Sequence, residues 1–369
     1  GEAEESEEES ASSSSAVPDD EKKVRILTGT GIDIHATDQG EIDAAVKDAA
    51  AKAKDAAMCS LGGADDAGGG DIRVDSLYPI LREELREANP TVVLTQNLCG
   101  VCAPSTDEVK TALGVGGRKS ARSEEKEEEE EDSNDDDGGG GGGDDGVRVV
   151  SLEPESLEDV ADTFVTVAEA CGVPDRGEEL KRSFLSDLDR LGRTVEEARR
   201  RRRDDDHENH APPPPRVLLL EWLDPPYDGG HWIPAMIERA GCIPSLVHRS
   251  TVVGFPRSWD SAKSKQITWA DVRASDPDVV LVASCGFDLR RNARDARGAA
   301  DELAQLRAAR EGRVYACDGD MYFARPGPKL AAGAAIVARC AFDDEDEDEG
   351  EGEGGVIDAV AGLGNVPRE

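Results

Sequence analysis

A cluster of aromatic rings with a few charged side chains directly follows the apolar run from Leu218 to Leu220. The stretch from Glu221 to Pro234 holds three of the chain's eight Trp and Tyr residues, two Asp and one His. Its Pro-Pro and Gly-Gly pairs are typical of an exposed turn, although aromatic rings more often pack in a core than bind ligands. Large flat rings beside few charges suit the non-covalent binding of a flat, largely apolar molecule.

Two later stretches, 285–288 and 320–328, also combine aromatic rings with a few charged groups. Each of the three stretches follows a predicted strand. Parallel strands place their carboxyl ends at one edge of a sheet, which is where open α/β sheets bind ligands. The sequence therefore predicts that the three stretches line one ligand pocket. The predicted ligand-binding residues are Trp222, Asp224, Tyr227, His231, Trp232, Phe287, Asp288, Asp320, Tyr322, Phe323 and Arg325.

Few other groups have the types and spacing needed for chemistry. The His231 imidazole could ligate cobalt or act as a base, and the alternative is that it braces its loop through hydrogen bonds. Cys99 and Cys102 form a single C-x-x-C pair, whereas a structural zinc site needs four ligands; a buried structural pair and a pair of redox thiols are the other interpretations. No Ser-His-Asp or nucleophile-elbow pattern occurs, and the hexaglycine at 138–143 lacks the Lys-Ser/Thr of a phosphate-binding loop. The sequence thus predicts no catalytic residue, no metal site and no cofactor.

The elements that must position the three stretches alternate between strand and helix over the second half of the chain. The predicted strands cover 216–221, 243–248, 278–283 and 313–317, and the predicted helices cover 233–240, 268–275, 295–310 and 329–340. Such alternation is typical of an α/β lobe with a mainly parallel sheet.

The first half of the sequence predicts a lobe with fewer strands, followed by connecting helices. Its predicted helices cover 41–57, 76–88 and 107–113, and its predicted strands cover 91–95 and 147–152. Ser156 is predicted to cap a helix that ends near Cys171, and Pro174 is predicted to interrupt the helical structure. A helix over 178–203, about 40 Å long, is then predicted from its apolar stripe. The stripe consists of Leu180, Phe184, Leu188, Leu191 and Val195.

Most of the negative charge is confined to three segments. Residues 1–23, 123–146 and 343–353 carry net charges of −7, −12 and −9, within a formal net charge of −37. Segments of this kind are expected to be solvated and disordered. Nucleic acid is not expected as a partner, because little in the chain could neutralise phosphates. No apolar run reaches 18 residues and no signal peptide is recognised, so no membrane span is predicted and the localisation stays open.

The predicted fold class is α/β, with two Rossmann-like lobes of mainly parallel sheet, a long bridging helix and disordered acidic segments. The predicted divisions are an acidic N-terminal segment (1–23), an incomplete N-terminal lobe (24–155) with the insertion 123–146, connecting helices and a linker (156–211), a C-terminal lobe (212–342) and an acidic tail (343–369).

Several motifs resemble those of one known family. In the second half they are EWLDPPY at 221–227, GHWIP at 230–234, CGFD at 285–288 and YFARPGP at 322–328. In the first half, TQNLCGVCA at 95–103 and SLEPESLEDV at 151–160 agree with them. Together they resemble the cobalamin-binding members of the class III periplasmic substrate-binding proteins, which are the vitamin B12 and iron-siderophore receptors of ABC uptake systems.

The resemblance implies that one long helix bridges two lobes and that a corrinoid such as vitamin B12 is held between them. It also implies a non-enzymatic protein with an ABC transporter permease as a partner, and we expect a monomer. The family's opening strand and Ser-Leu-x-Pro turn do not occur upstream of Val24, so a truncated first lobe is expected. The acidic and polyglycine insertions indicate a eukaryotic member, such as an algal one. The alternatives are a siderophore or haem binder of the same fold, and a thiol-dependent enzyme or chaperone that uses Cys99 and Cys102.

Overall fold

The structure of the chain is a computed structural model, which describes residues 37–60, 80–96, 104, 106–114, 147–205, 213–246 and 263–342. The three acidic segments and the Cys99–Cys102 pair lie outside these described residues. Within the described ranges, no helix has both the length and the apolar character needed to cross a lipid bilayer.

The N-terminal lobe is built on two parallel strands. Strand β1 (Val92–Thr95) pairs with strand β2 (Arg148–Ser151), and Val93 lies opposite Val149. These strands confirm the two that the sequence predicts in its first half. They provide a narrow platform whose carboxyl ends face the same way.

Three helices of the first half accompany this platform. They are α1 (Gln39–Ser60), α2 (Arg82–Ala88) and α3 (Thr106–Leu113). Helix α2 is shorter than the predicted helix 76–88, because Leu81 has a non-helical ψ of 88°, and residues 76–79 lie outside the described part. Asn89 ends α2 in a left-handed conformation with φ of 44°, directly after the predicted helix 76–88.

Two consecutive helices, α4 (Leu157–Ala170) and α5 (Pro174–Asp205), follow β2. Helix α4 begins with the expected cap: the Ser156 hydroxyl accepts a hydrogen bond from the Asp159 N–H at 3.0 Å, and the Asp159 carboxylate accepts one from the Ser156 N–H at 3.0 Å. The predicted interruption is present at residues 171–173, directly before Pro174, but α5 begins at this proline, four residues before its predicted start at 178. A proline in the first helical turn needs no N–H donor, and its fixed φ suits the start of a helix.

The C-terminal lobe contains the larger sheet, and its elements confirm the α/β fold class. Its strands are β3 (Arg216–Leu223), β4 (Pro226–Asp228), β5 (Ile243–Pro244), β6 (Val279–Val282) and β7 (Val314–Ala316). Its helices are α6 (Ile233–Arg239), α7 (Trp269–Ser275), α8 (Leu289–Gly298), α9 (Ala300–Leu303), α10 (Arg307–Arg310) and α11 (Leu330–Phe342). The sheet order is β4-β3-β6-β7, with β5 beside the start of β3; β3, β5, β6 and β7 are parallel, and β4 is antiparallel.

The largest departure from the prediction in this lobe concerns the helix expected at 295–310. The chain instead forms three shorter helices, α8 to α10, the first of which begins at Leu289. The Asp288 carboxylate caps α8 by accepting a hydrogen bond from the Arg291 N–H at 2.8 Å, and such a cap fixes the helix start. The third aromatic stretch also has structure of its own, because Asp320–Ala324 form a π-helical turn.

Helix α5 joins the two lobes through its apolar stripe. Phe184, Leu188, Leu191 and Val195 are buried in the main core, where α4, α6 and α11 pack against α5. Leu180 was predicted in the same stripe but is 39% exposed.

Candidate functional site

The first aromatic stretch forms a β-hairpin, whereas the sequence predicts an open loop after Glu221. Strand β3 continues to Leu223 and pairs with β4, so that Trp222 lies opposite Tyr227. An edge strand of three residues is too short to show a periodic pattern, which is why the sequence did not reveal it. The pairing fixes both rings at the carboxyl end of β3.

The three aromatic stretches lie together at this sheet edge. The Cys285 N–H donates to the Glu221 carbonyl oxygen at 3.2 Å, which joins the second stretch to the first. The Asp320 N–H donates to the Phe287 carbonyl oxygen at 3.1 Å, which joins the third stretch to the second. Trp232 completes the connection, because its indole N–H donates to the carbonyl oxygen of Phe323 at 2.7 Å.

The six predicted rings divide into a buried group and an accessible group. Trp232, Phe287 and Phe323 are 6%, 3% and 2% exposed, so their rings mainly pack the stretches against each other. The rings that keep accessible surface are those of Trp222, Tyr227 and Tyr322. Contact between a ligand and any of the six rings remains a prediction, and the accessible group is the better placed to make it.

The predicted charged residues have different partners. Asp288 is engaged as the cap of α8. The Arg325 guanidinium pairs with the Asp320 carboxylate at 2.8 Å, and the Arg325 side chain is 73% exposed. Asp224 is exposed in the turn of the hairpin. The Asp320–Arg325 pair therefore presents both a hydrogen-bond donor and an acceptor beside Tyr322.

The Phe287 ring packs against both the Trp222 ring and the Arg291 guanidinium. The centroids of the Phe287 and Trp222 rings lie 5.2 Å apart. The Arg291 guanidinium lies 4.2 Å from the Phe287 ring centroid and pairs with the Asp295 carboxylate at 2.7 Å. A cation over an aromatic face stabilises such an arrangement, so Trp222 is held by a packed stack.

The first turn of α1 docks against the same sheet edge. Gln39 is 5% exposed, and its side-chain amide donates to the Ser284 hydroxyl at 3.1 Å and to the Asp295 carboxylate at 2.9 Å. Its amide oxygen accepts from the Leu223 N–H at 2.6 Å, and its backbone carbonyl accepts from the Trp222 indole at 3.2 Å. Gln39 precedes Leu223 by 184 residues, and no local pattern in the sequence predicts this contact.

Replacing Gln39 with alanine is expected to lower the free energy of unfolding by about 1 to 2 kcal/mol, because the buried Leu223 N–H loses its acceptor. The first turn of α1 should also detach from the sheet edge and lose its protection from hydrogen exchange. Urea unfolding measures the first effect, and faster amide hydrogen exchange in residues 41–48 measures the second.

Gln305→Ala is the matched control for this change. Gln305 is exposed, and its amide donates to the Asp301 carbonyl and the Glu302 carboxylate next to it on the chain. The control is expected to change the free energy of unfolding by less than about 0.5 kcal/mol. Equal losses in the two variants would show that the Gln39 contacts do not hold α1.

Glu221 is a site residue that the sequence prediction omitted. The residue keeps some exposed surface, but its carboxyl group is buried and accepts a hydrogen bond from the Gly230 N–H at 3.3 Å. Burial raises the pKa of this carboxyl group to about 7; the Asp228 charge adds to the rise, and hydrogen bonds from Ser264 and Gly230 oppose it. A carboxyl group that is partly protonated at neutral pH can donate as well as accept a hydrogen bond. The available signal was an acid at the end of a buried apolar strand.

His231 lies in a strained position at the end of the first stretch, with φ of 52°. Its Nδ1 atom is buried and has no hydrogen-bond partner among the described residues, which does not fit the bracing interpretation. Burial lowers the pKa of the imidazole, with Lys263 acting in the same direction and Glu155 opposing, so the ring is neutral at pH 7. A metal-bound imidazole almost always donates its other N–H to an acceptor, so an unpartnered Nδ1 also disfavours cobalt ligation through Nε2.

An apolar cavity of about 430 Å³ lies between the strand ends of the N-terminal lobe and the third stretch of the C-terminal lobe. Its volume falls within the range of small-molecule sites. None of the eleven predicted ligand-binding residues lines it, and Pro326 is the contribution of the third stretch. The lining residues are Ile80, Leu85, Val93, Leu94, Thr95, Gln96, Pro104, Val109, Leu152 and Pro326. Among the described residues, no group of three His, Cys, Asp or Glu side chains is arranged to hold a metal ion.

Comparison with known proteins gives similarities in structure alone, because no protein-family model and no curated protein sequence matches the chain. A periplasmic haem-binding protein of Pseudomonas aeruginosa is 18% identical, with a TM-score of 0.49, and the match covers 72% of this chain and 76% of that one. For a periplasmic haem-binding protein of Roseiflexus the values are 21%, 0.45, 72% and 80%. For the periplasmic vitamin B12-binding protein of Vibrio cholerae they are 14%, 0.46, 73% and 80%. All three are periplasmic binding proteins, the class of protein that the sequence motifs of this chain resemble.

Proposed function

We propose that this protein binds a corrinoid between its two lobes and carries out no chemistry on it. The observation that supports this proposal is the apolar cavity bordered by the carboxyl ends of β1 and β2 and by Pro326. Leu94 lines this cavity and is 44% exposed, although its side chain is large and apolar. A flat apolar ligand would remove that surface from water, and this removal is the main source of affinity in such sites.

The pair of Asp320 with Arg325, the residue directly before the cavity-lining Pro326, favours an amide-bearing ligand. Arg325 is already paired with Asp320, so the two together offer a donor and an acceptor without net charge. The amide groups around a corrinoid need donors and acceptors, whereas haem propionates need unpaired positive charge. The same argument disfavours an anionic siderophore.

A siderophore or haem nevertheless remains the second candidate, because the apolar cavity wall suits any flat or bulky apolar ligand. Competition separates the candidates: cyanocobalamin is expected to displace haemin or a ferric catecholate from the protein. Haemin binding that excess cyanocobalamin does not reduce would favour the second candidate. The thiol-dependent enzyme or chaperone depends on Cys99 and Cys102, which lie outside the described residues.

Leu94→Glu is expected to weaken cyanocobalamin binding at least tenfold. The change removes apolar contact area and places a charge in the cavity wall, and about 1.4 kcal/mol is enough for a tenfold change. Isothermal titration calorimetry on the full chain measures the dissociation constant, and the visible spectrum of the corrinoid gives a second readout.

The matched control is Leu180→Glu, the same substitution at a leucine of similar exposure on α5. It is expected to leave the dissociation constant unchanged. The absence of both heat and a spectral change with the wild-type protein at micromolar concentration would overturn the corrinoid proposal. Equal weakening in the two variants would show that the cavity is not the binding site.

A further inference from the structure

The C-terminal part of α5 is strongly basic and lies against the last residue of α11. Five consecutive arginines, residues 199–203, form this basic end of α5. The Arg199 guanidinium donates a hydrogen bond to the Gly241 carbonyl oxygen at 3.4 Å and lies 5.8 Å from the centroid of the Phe342 ring. Phe342 is buried in the main core, so the end of α11 is fixed beside the first of the five arginines.

The helix that carries these arginines explains them only in part. A cation near a helix C-terminus interacts favourably with the helix dipole, but like charges one turn apart destabilise a helix. Glu196 and Glu197 precede Arg200 and Arg201 by one turn, and all four side chains are described and exposed. Within this described set, no ion pair joins either glutamate to either arginine. The basic end of α5 therefore presents positive charge that an anionic segment would stabilise.

The most acidic part of the sequence begins directly beside this surface. The last described residue is Phe342, and nine of the next eleven residues, 343–353, are Asp or Glu. A second arginine also contacts the end of α11, because the Arg313 guanidinium donates to the Ala341 carbonyl oxygen at 2.5 Å. The acidic segment 343–353 thus starts next to two residues that arginines already contact.

We propose that the acidic segment 343–353 binds the basic end of α5 within the same molecule. Eleven extended residues span up to about 36 Å, whereas two turns of helix rise only about 11 Å, so the segment is long enough to follow the arginines. Covalent linkage gives an effective concentration of about millimolar, so ion pairs that are individually weak can act together. The bound segment would shield the arginines from other polyanions. The inference is independent of the ligand of the cavity.

Carbodiimide coupling tests the proposal, because this reagent joins a lysine amine to a carboxylate only where the two are in contact. Arg200→Lys places such an amine at the basic end of α5 in the full chain and keeps the charge. The expected product at low ionic strength is an amide between the introduced lysine and a carboxylate of the acidic segment, identified by mass in the tryptic peptide 340–368. Salt screens exposed charges, so coupling should fall at least about fivefold in about 1 M NaCl.

Arg176→Lys is the matched control. Arg176 is exposed near the start of α5, about 36 Å along the helix from Arg200. Coupling of the acidic segment to the introduced lysine should be at least about fivefold higher at position 200 than at position 176. The proposal would be overturned by no coupling at position 200, by equal coupling at the two positions, by coupling that salt does not reduce, or by products that join two molecules in place of the intramolecular one.

Discussion

Glu221→Gln is expected to raise the free energy of unfolding by about 3 kcal/mol at pH 8 and by less than about 1 kcal/mol at pH 5. The carboxyl group is buried at the junction of the first two aromatic stretches, and its pKa is about 7 instead of the usual value near 4.5. Ionising it in the folded protein therefore costs free energy that a glutamine does not cost. The Gly230 N–H keeps its acceptor in the variant, because the glutamine amide oxygen takes the place of the carboxylate oxygen.

The direction of the pH dependence follows from the raised pKa. Between about pH 4.5 and pH 7 the folded protein binds more protons at Glu221 than the unfolded chain does, so stability falls as the pH rises. Burial of His231 acts with the opposite sign, because a lowered pKa costs stability as the pH falls. The difference between the variant and the wild-type curves cancels the His231 contribution and isolates Glu221.

Urea unfolding at half-unit steps from pH 5 to pH 8 measures this difference. Glu169→Gln is the control, since Glu169 is exposed on α4 and the same change of charge is made there in contact with water. The control curve should run parallel to the wild-type curve. A Glu221→Gln curve that also runs parallel to the wild type would show that the carboxyl group is not held in its neutral form.

The elements that the sequence predicts well are those with long local patterns. The stripe of α5 repeats over four turns, and the capping box at Ser156 and Asp159 satisfies backbone groups within one turn of the helix start. Parallel strands such as β6 are apolar throughout because both faces of the sheet are covered, and all four residues of β6 are buried. These features depend on neighbours a few residues away.

The parts of the site that the sequence did not reveal depend on residues distant along the chain. Gln39 reaches Leu223 only after the whole N-terminal lobe has folded back, so its role leaves no local pattern. The ionisation of Glu221 depends on the hydrogen bond and burial that Gly230 and its neighbours provide in the folded state. Local sequence patterns do not predict the cavity either, because its lining residues Leu94 and Pro326 belong to different lobes. The sequence therefore predicted ligand-binding residues in the C-terminal lobe from their residue types, but it did not predict the cavity wall that the N-terminal lobe provides.

The second large effect is expected where two of the aromatic stretches come closest. Gly319 precedes Asp320, and a methyl group on its Cα would lie 2.2 Å from the Ser284 carbonyl oxygen and 2.7 Å from the Ala283 carbonyl carbon. The φ of Gly319 is −67°, which any residue adopts, so the requirement for glycine is steric. Both contacts are with backbone atoms at the end of β6, and backbone cannot turn aside as a side chain can.

Gly319→Ala is therefore expected to lower the free energy of unfolding by about 2 to 3 kcal/mol and to separate the second stretch from the third. Urea unfolding gives the stability, and faster amide exchange at residues 284–288 reports the separation. Gly298→Ala is the control: its Cβ would meet no atom within 4 Å at the end of α8, so the change should be neutral or stabilise by up to about 1 kcal/mol. If Gly319→Ala is as stable as Gly298→Ala, the two stretches do not need this close approach, and the hydrogen bond from Asp320 to Phe287 would have to hold them together alone.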